Sequence, residues 1–558
     1  MKKVFPKNFK LKFVASAFLL LVLFSGFYFF SDDDNIYLKI NRSIDLFGKI
    51  YREVSFNYVD EIDSDKFIEA GINGMLSALD PYTVYIDEKK NEDIDLIQTG
   101  KYAGVGITIG MRDDNIVIIS LMEGYSAQKK GLMPGDKILE IAGVSMTGKK
   151  VDDVRQYVKG DPGTDVKMII EREGEEKPLE FILQREEIKL KNVTYYTVIH
   201  DNIGYIKLER FSRSAGDEVR RAVKELKAKG TLNGIILDVR DNPGGLLDAA
   251  IEIVKKFVPR NSLIVSTKGR QPDSEKKFYS DEEPIAGDIP MVVLVNNHSA
   301  SASEIVAGAI QDLDRGVIIG NKTFGKGLVQ TITGLTYNSS LKITTAKYYT
   351  PSGRCIQKID YMHKNKDGVF SMKPDSLKQH FRTLRGRDVV EAGGINPDST
   401  VIPDSTDEFV SELIRRAMLF KFAVSYSNDK KKNGLDFKMS NEVVAGFRNY
   451  LKEKKFDFKD AAEKKLGEII QIASAKKYSK EFISELKLLE KSVKSERDKD
   501  FDRNEKIIKQ LLEVEIIGVM RGQTEQIAAG LVYDNQLKAA VDILKNKKMY
   551  NKFLNIKN

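Results

Sequence analysis

The polarity pattern divides the chain into stretches of different period. Five lysines lie within residues 2–12, and Phe13 to Phe30 then run uncharged and almost wholly apolar until Ser31-Asp32-Asp33-Asp34. At about 1.5 Å per residue this run reaches ~27 Å, close to the ~30 Å hydrocarbon core. Lysines before it and acids after it predict residues 1–34 as an N-terminal cytoplasmic tail and anchor, with everything from residue 31 outside. A cleaved signal is the alternative, but the run is long and bulky and shows no clean small-x-small site. Residues 36–80 read as helical, with Ile40, Ile44, Phe47, Ile50 and Val54 on one face, then Phe67, Ile68, Ile72, Met75 and Leu76, ended by Asp80-Pro81. From about 102 the period changes to short strands. Residues 203–210, 234–239, 263–267, 291–295 and 317–319 read as buried strands, with helices over 216–229, 246–257 and 302–313, which predicts an α/β core. Beyond Pro403 the pattern is helical and Lys/Glu-rich, with Phe409, Leu413, Ala417 and Phe420, then Ile507, Leu511, Val514 and Ile517.

With 558 residues, 42% hydrophobic and 30% charged, the chain is long enough for about three or four globular domains. This composition excludes a wholly disordered, collagenous or coiled-coil protein. The single cysteine, Cys355, supports neither an internal disulfide nor a paired-cysteine metal or redox site. The net charge of +8 is scattered, with no basic stripe interleaved with aromatics, so no nucleic-acid partner is expected.

Two glycine-bearing motifs mark the region of short strands. Tyr102-Ala103-Gly104-Val105-Gly106-Ile107 sets two glycines before a strand, where backbone amides can face an anion without Cβ crowding. By itself such a pair also suits a bulge or turn. Gly131-Leu132-Met133-Pro134-Gly135-Asp136, followed by the strand Lys137 to Ile141, supplies a second signal. Together they resemble a PDZ domain over 89–187. The resemblance implies an added peptide strand whose C-terminal carboxylate is held by the amides of Gly104, Val105, Gly106 and Ile107.

The densest run of small residues is Ser299-Ala300-Ser301-Ala302-Ser303, between a buried strand and a helix. Small residues admit a substrate backbone, and a helix N-terminus favours a developing oxyanion, although a serine N-cap on a packed helix fits the same residues. Downstream, Gly320 and Gly325-Lys326 nearly match a phosphate-binding loop. That reading fails because Gly327 stands where a Ser or Thr would hold Mg²⁺ and because Leu328 to Ile332 reads as a strand. Lys326 instead suits the base of a serine nucleophile, provided desolvation lowers its pKa from ~10.4 towards neutrality. Phe324, Leu328 and Val329 are suitable packing, and Gln330, four residues on, returns to the same face and can orient the amine.

These residues closely resemble the C-terminal processing peptidases, or tail-specific proteases. The match includes Gly204-Tyr205-Ile206-Lys207-Leu208, Gly234 to Leu247 with its Asn242-Pro243-Gly244-Gly245 turn, Ala346 to Arg354, and Gly393-Gly394-Ile395-Asn396-Pro397-Asp398, in the family's order over roughly 40–400. The resemblance implies Ser301 as nucleophile, Lys326 as base and Gln330 as its support. It implies an oxyanion hole from the amides of Ala302 and of Gly245, preferred over Gly244, with Glu304 and Asp312 structural or supporting. Ser299 and Ser303 are the other candidate nucleophiles. His298 with Asp238 or Asp312 would make a histidine-assisted alternative. No metal site or cofactor is implied.

The expected architecture is therefore multidomain α/β: anchor 1–34, a helical segment 35–88, a small β-rich PDZ domain 89–187, an α/β serine protease core 188–403 and an all-α domain 404–558. The expected activity is cleavage of exported proteins near their C-termini by a Ser-Lys endopeptidase at the periplasmic or external side of the membrane. A catalytically silent or gated PDZ scaffold is the alternative. Segments near Lys159-Gly160 and Arg185 are candidate movers, and 404–558 is a candidate surface for homodimerisation or adaptor docking. Loop 360–390, with Lys364, Lys366, Lys373 and Lys378, receives no role.

Overall fold

The computed structural model describes residues 33–556 apart from 89–90, 365–369, 392, 404–405 and 434–436. The predicted anchor thus lies outside the described residues but for its last two positions. No helix among the described residues is long and apolar enough to cross a membrane.

The described residues form two compact units, divided after Tyr85. In the first, the helical stretch predicted over 36–80 is two helices, α1 (Asp33–Asn57) and α2 (Ser64–Leu76). The break falls at Asp63, whose carboxylate caps α2 by accepting the Lys66 N–H. Tyr51 of α1 stacks on Phe67 of α2 with ring centroids 5.6 Å apart. The apolar stripe Ile36, Ile40, Ile44, Phe47 and Ile50 remains exposed within this unit.

The second unit begins with the small β domain. Strand β1 (Lys101–Gly104) is followed by β2 (Ile107–Arg112), β3 (Asn115–Leu121), a short helix α3 (Ser126–Lys129), β4 (Lys137–Ile141), α4 (Val151–Val158), β5 (Asp165–Glu171), β6 (Leu179–Gln184) and β7 (Glu186–Lys189). The antiparallel order β2-β3-β4-β5-β6 forms one sheet, and β1 pairs with β7. Along β5, Val166, Met168 and Ile170 alternate inward to meet Ile116, Ile118, Ile138 and Ile141. Arg185, flagged with Lys159-Gly160 as a mover, caps the end of α4 by donating to the carbonyls of Tyr157 and Val158.

The core that follows is an α/β layer structure. Strands β8 (Val193–Ile199), β9 (Ile203–Leu208), β10 (Gly234–Asp238), β13 (Met291–Val295), β14 (Val317–Gly320) and β17 (Ser399–Thr400) make one sheet in that spatial order, antiparallel only between β8 and β9. Helices α5 (Ala215–Ala228), α6 (Leu247–Lys255) and α7 (Ala302–Asp312) connect its parallel strands. Every residue of β10, β13 and β14 is buried, as both faces of a covered parallel sheet require. A second sheet is built from β11 (Leu263–Gly269), β12 (Lys276–Tyr279), β15 (Leu328–Gly334) and β16 (Ser340–Tyr349), with β16 pairing both β11 and β15.

Alternate residues of the core sheet face two different layers. Ile235, Leu237, Met291, Val293 and Ile318 pack on α5 to α7. Tyr205, Ile236, Val292, Leu294, Val317 and Ile319 pack on Leu537, Ala540, Ile543, Leu544 and Tyr550. Those residues lie on α15 (Asn535–Lys545) and α16 (Lys547–Phe553), so the end of the region predicted as a separate helical domain covers one face of the protease core.

The rest of that region is a helical layer: α8 (Glu408–Arg415), α9 (Met418–Asn433), α10 (Asn441–Glu453), α11 (Ala461–Ala475), α12 (Lys480–Arg497), α13 (Glu505–Arg521) and α14 (Gln523–Leu531). In α13 the fully buried residues are Ile508, Leu512 and Ile516, one position from the face predicted by Ile507, Leu511, Val514 and Ile517. Ile507, Leu511 and Ile517 are partly buried against the same cluster, because α13 has neighbours on several sides.

This layer grips the small β domain. Val117 packs with Ala417, Phe420 and Val424. A Cβ at Gly135, where φ is +94°, would lie 2.3 Å from Val424 Cγ1, so the Pro-Gly-Asp turn predicted from sequence is also the point of closest approach. Lys421 pairs with Asp113 at 2.7 Å, and the Arg112 guanidinium lies over the Phe420 ring.

Candidate active site

The strand β13 ends at Val295 and α7 begins at Ala302, so the run Asn296 to Ser301 is a strand-to-helix junction. Ser301 is its last residue, with φ 55° and ψ −112°. This is the conformation of a type II′ turn, costly for a residue with a Cβ by about 1–3 kcal/mol, and such strain concentrates at functional positions. Ser301 is half-buried. The flanking serines are different. Ser299 is buried and donates to the Val239 carbonyl at 2.8 Å, and Ser303 is buried and donates to the Asn242 carbonyl at 2.8 Å. Both hydroxyls are fastened to the loop that follows β10.

That loop runs from Val239 to Leu246, with the turn Asp241 to Gly245 inside it. Asn296 Oδ1 accepts the Asp241 N–H, Asn296 Nδ2 donates to Asp241 Oδ1, and the Ala300 N–H donates to the Asn242 carbonyl at 3.1 Å. Gly244, at φ +97°, lies against the serine: a Cβ there would come within 2.9 Å of Ser301 Cβ and 2.7 Å of the Ala300 carbonyl oxygen. The Gly244 N–H is committed to Asn242 Oδ1 at 2.9 Å. Gly245 continues past it, and its neighbour Leu246 donates to the Phe211 carbonyl. Ala302 opens α7, whose first amides have no partner within the helix.

Lys326 lies in the loop between β14 and β15, and the residues after it form a strand, as the case against a phosphate loop required. Two buried side chains tie it to Ser301. Glu304, fully buried in the first turn of α7, accepts the Ser301 N–H and the Lys326 N–H on Oε2, each at 2.9 Å. Its Oε1 accepts the Thr323 hydroxyl at 2.6 Å and the Gly325 N–H at 2.7 Å. On the opposite polarity, the Tyr348 hydroxyl of β16 reaches the Lys326 carbonyl at 2.7 Å and the Ser301 carbonyl at 3.2 Å. Burial pushes the Glu304 carboxyl up to about 7, against the pull of its donors, Thr323 first. Burial, and next the nearby Glu304 charge, holds the Tyr348 hydroxyl well above its ordinary value, so it remains a donor.

Gln330 lies on β15 directly after a bulge between Val329 and Gln330. The bulge and the non-strand backbone at Lys326 and Gly327 break the simple alternation used to predict its orientation. Its amide Nε2 donates across the ladder to Thr344 Oγ1 at 3.3 Å.

The histidine alternative finds its acids engaged. His298 is exposed. Asp238 is buried, accepts the Tyr205 hydroxyl at 2.6 Å and pairs with Arg240 at 2.6 Å. Burial pushes its pKa up, but Arg240 and Lys207 outweigh this and hold it far below the carboxylate range. Asp312 pairs with the buried Arg354 at 2.7 Å. Among the described residues no cluster of His, Cys, Asp and Glu could hold a metal ion.

In the β domain, β1 ends at Gly104 and β2 begins at Ile107. Val105 is fully buried and its carbonyl accepts the Ala127 N–H at 3.0 Å, while Gly106 turns the chain at φ +81°. The four predicted carboxylate-loop residues therefore form a tight connection at the start of the β2 edge, with α4 packed beside β2.

Sequence reasoning quoted Tyr348 within a motif without giving it a task, and assigned Glu304 only a supporting place. An acid three residues after Ser301 inside an apolar helix was the available signal for Glu304. Tyr348 carried no local one.

Four family models match the chain: Peptidase family S41 over residues 202–363, a PDZ domain over 93–171, the C-terminal helical domain of a probable PDZ-protease over 409–544, and the N-terminal domain of the activating protease CtpB over 32–90. A carboxy-terminal-processing protease of Bartonella bacilliformis is 39% identical over 352 residues, covering 62% of this chain and 80% of the relative. The carboxy-terminal processing protease CtpB of Bacillus subtilis is 31% identical over 427 residues, covering 75% and 87%. Among solved structures, the photosystem II D1 C-terminal processing protease is 27% identical, covering 59% of this chain and 91% of its own, with a TM-score of 0.34. With its S41 core, PDZ domain and C-terminal helical domain, the chain belongs to the carboxy-terminal processing proteases of peptidase family S41.

Proposed function

We propose that the protein is a serine endopeptidase that cuts exported proteins near their C-termini with a Ser301-Lys326 dyad. The observation that carries this reading is the double tether of Glu304 and Tyr348, which draws together the backbones of a strained serine and a lysine from separate loops. In the proposed cycle an unstructured tail is held by the PDZ domain with its carboxylate at the amides of Gly104 to Ile107. Ser301 Oγ attacks a carbonyl lying further up the tail. Lys326 Nζ takes the hydroxyl proton and returns it to the leaving amine, with Gln330 supporting the amine. The tetrahedral oxyanion is held by the N–H groups of Ala302 and Gly245, at the positive end of α7. The engagement of the Gly244 N–H by Asn242 supports Gly245 as the donor from that turn. Water then hydrolyses the acyl-enzyme. The lysine-flanked apolar run at 13–30 supports placing this activity outside the cytoplasm.

The test compares wild type, Ser301→Ala, Lys326→Ala and His298→Ala on one unstructured protein with a free or amidated apolar C-terminus, followed by mass spectrometry. The expected result is that Ser301 and Lys326 are required, His298 is dispensable and amidation slows cutting. Cutting by Lys326→Ala but not by His298→Ala overturns the dyad. Binding of the tail without cutting by wild type identifies a scaffold.

A further inference from the structure

We propose that a cavity beside the Lys326 loop is a subsite for a carboxylate of the substrate, in the first place an acidic side chain close to the scissile bond. The proposal rests on the peptidase reading above and adds a substrate class to it.

The cavity, of about 370 Å³, is lined by Asn297, Lys322, Phe324, Gly325, Lys358 and Tyr361, among others. It shares a wall with the candidate active site. The Phe324 N–H donates to the Ser299 carbonyl at 3.1 Å, the Gly325 N–H donates to Glu304 Oε1 at 2.7 Å, and the next residue is Lys326. In the proposed binding mode a peptide lying across Ser301 passes the mouth of this cavity.

Its charge is one-sided. Among the described residues, two lysines line it and no carboxylate does. Lys358 folds over Gly325, where a Cβ would fall 2.7 Å from Lys358 Cβ. Lys322 and Lys378 converge over Gly393, where a Cβ would lie 2.9 Å from one ammonium and 3.6 Å from the other. Phe324, 44% exposed, offers an apolar surface to the methylenes of a glutamate. A basic side chain entering here meets like charge, so the pocket both attracts one class of substrate and repels another.

The experiment uses the full chain and an unstructured protein whose cut has been mapped. Glu, Gln or Lys is placed in turn at the three positions on each side of the cut, each with a free or amidated C-terminus. At one position wild type is expected to prefer Glu over Gln about fivefold in kcat/KM, and Lys is expected to be the poorest. The Glu/Gln ratio is expected to fall to about one in Lys358→Ala, and Lys358→Glu is expected to favour Lys over Glu. Because each ratio is taken within one variant, losses of folded protein cancel. A wild-type ratio near one at all six positions, or a ratio that survives both Lys358→Ala and Lys322→Ala, overturns the subsite. A preference abolished by amidation and indifferent to the side chain assigns the carboxylate to the chain terminus and overturns the side-chain proposal. If wild type cuts no unstructured protein, so that no cut can be mapped, the peptidase reading falls and takes the subsite with it.

Discussion

The backbone amides of Ser301 and Lys326, 25 residues apart in sequence, converge on a single atom, Glu304 Oε2, at 2.9 Å each. A glutamine in that place would turn an N–H donor towards amides or a hydroxyl that already donate. Glu304→Gln is therefore expected to lower kcat about 10²-fold through displacement of the two loops, with KM changed by less than about threefold. Steady-state kinetics on one cleavable tail separates the two parameters. A variant with unchanged kcat would show that the tether does not set catalytic geometry.

The same carboxyl makes a prediction about pH. Its pKa is raised by burial from 4.5 to about 7, so the folded state holds a proton that the unfolded state releases earlier. The stability contributed by this group is fully present below about 4.5 and is lost as pH rises through about 7, a change of ~3 kcal/mol. Activity runs the other way, because only the ionised carboxylate has both oxygens open to its four donors. Wild-type kcat is expected to rise with pH through about 7 while unfolding by urea becomes easier. Glu304→Gln is expected to flatten the stability trend.

Tyr348→Phe keeps the ring, which is 1% exposed, and deletes the hydroxyl that reaches Ser301 and Lys326. The loss of these bonds is expected to cost about 1–2 kcal/mol of stability and about tenfold in kcat. Denaturation curves and kinetics on the same preparation check both numbers.

Arg240 pairs with Asp534 at 2.5 Å as well as with Asp238. Arg240 stands immediately before the turn that ends in Gly245, so this contact joins the start of α15 to the proposed oxyanion donors. Asp534→Ala is expected to destabilise the fold by about 2 kcal/mol and to leave the PDZ domain's affinity for a C-terminal peptide unchanged. Urea unfolding and peptide titration provide the two readouts.

Val424→Asp places a charge against Val117 and the Gly135 turn. Amide exchange is expected to quicken at Val117 and across 417–424, with protection in β10 and β13 unchanged. Uniform loss of protection would mean that the helical layer and the core unfold as one.

The core was the most legible part of the sequence. Residues 234–239, 291–295 and 317–319 read as strands and occupy 234–238, 291–295 and 317–320, because a strand covered on both faces must be a short uninterrupted apolar run. The partner of each face was not legible. Leu537, Ala540, Ile543 and Leu544 mark an amphipathic helix, but nothing local says that its apolar side covers Ile236 and Val292 rather than another helix. At the site, the small-residue run and the Gly-Lys-Gly loop were legible as such, and the family resemblance singled out Ser301 and Lys326 within them. What joins them was not legible: Tyr348 contributes through a hydroxyl pointing at two carbonyls, a relationship set by the packing of β16, in the second sheet, against the Ser301 and Lys326 loops. Gln330 shows the opposite difficulty, since a one-residue bulge shifts every inference drawn from a four-residue interval.

The cover that α15 and α16 provide has a consequence for the timing of biosynthesis. Strands β8 to β14 are complete once residue 320 has been made, yet one side of their sheet stays bare until residues 535–553 emerge, more than two hundred residues later. A nascent chain that ends between residues 326 and 534 has the serine and the lysine but lacks the Arg240–Asp534 link and the packing of α15 and α16 on the sheet. Contacts of such long sequence separation form late. The sheet that carries the Ser301 loop is therefore fully covered only after the helical region has been synthesised.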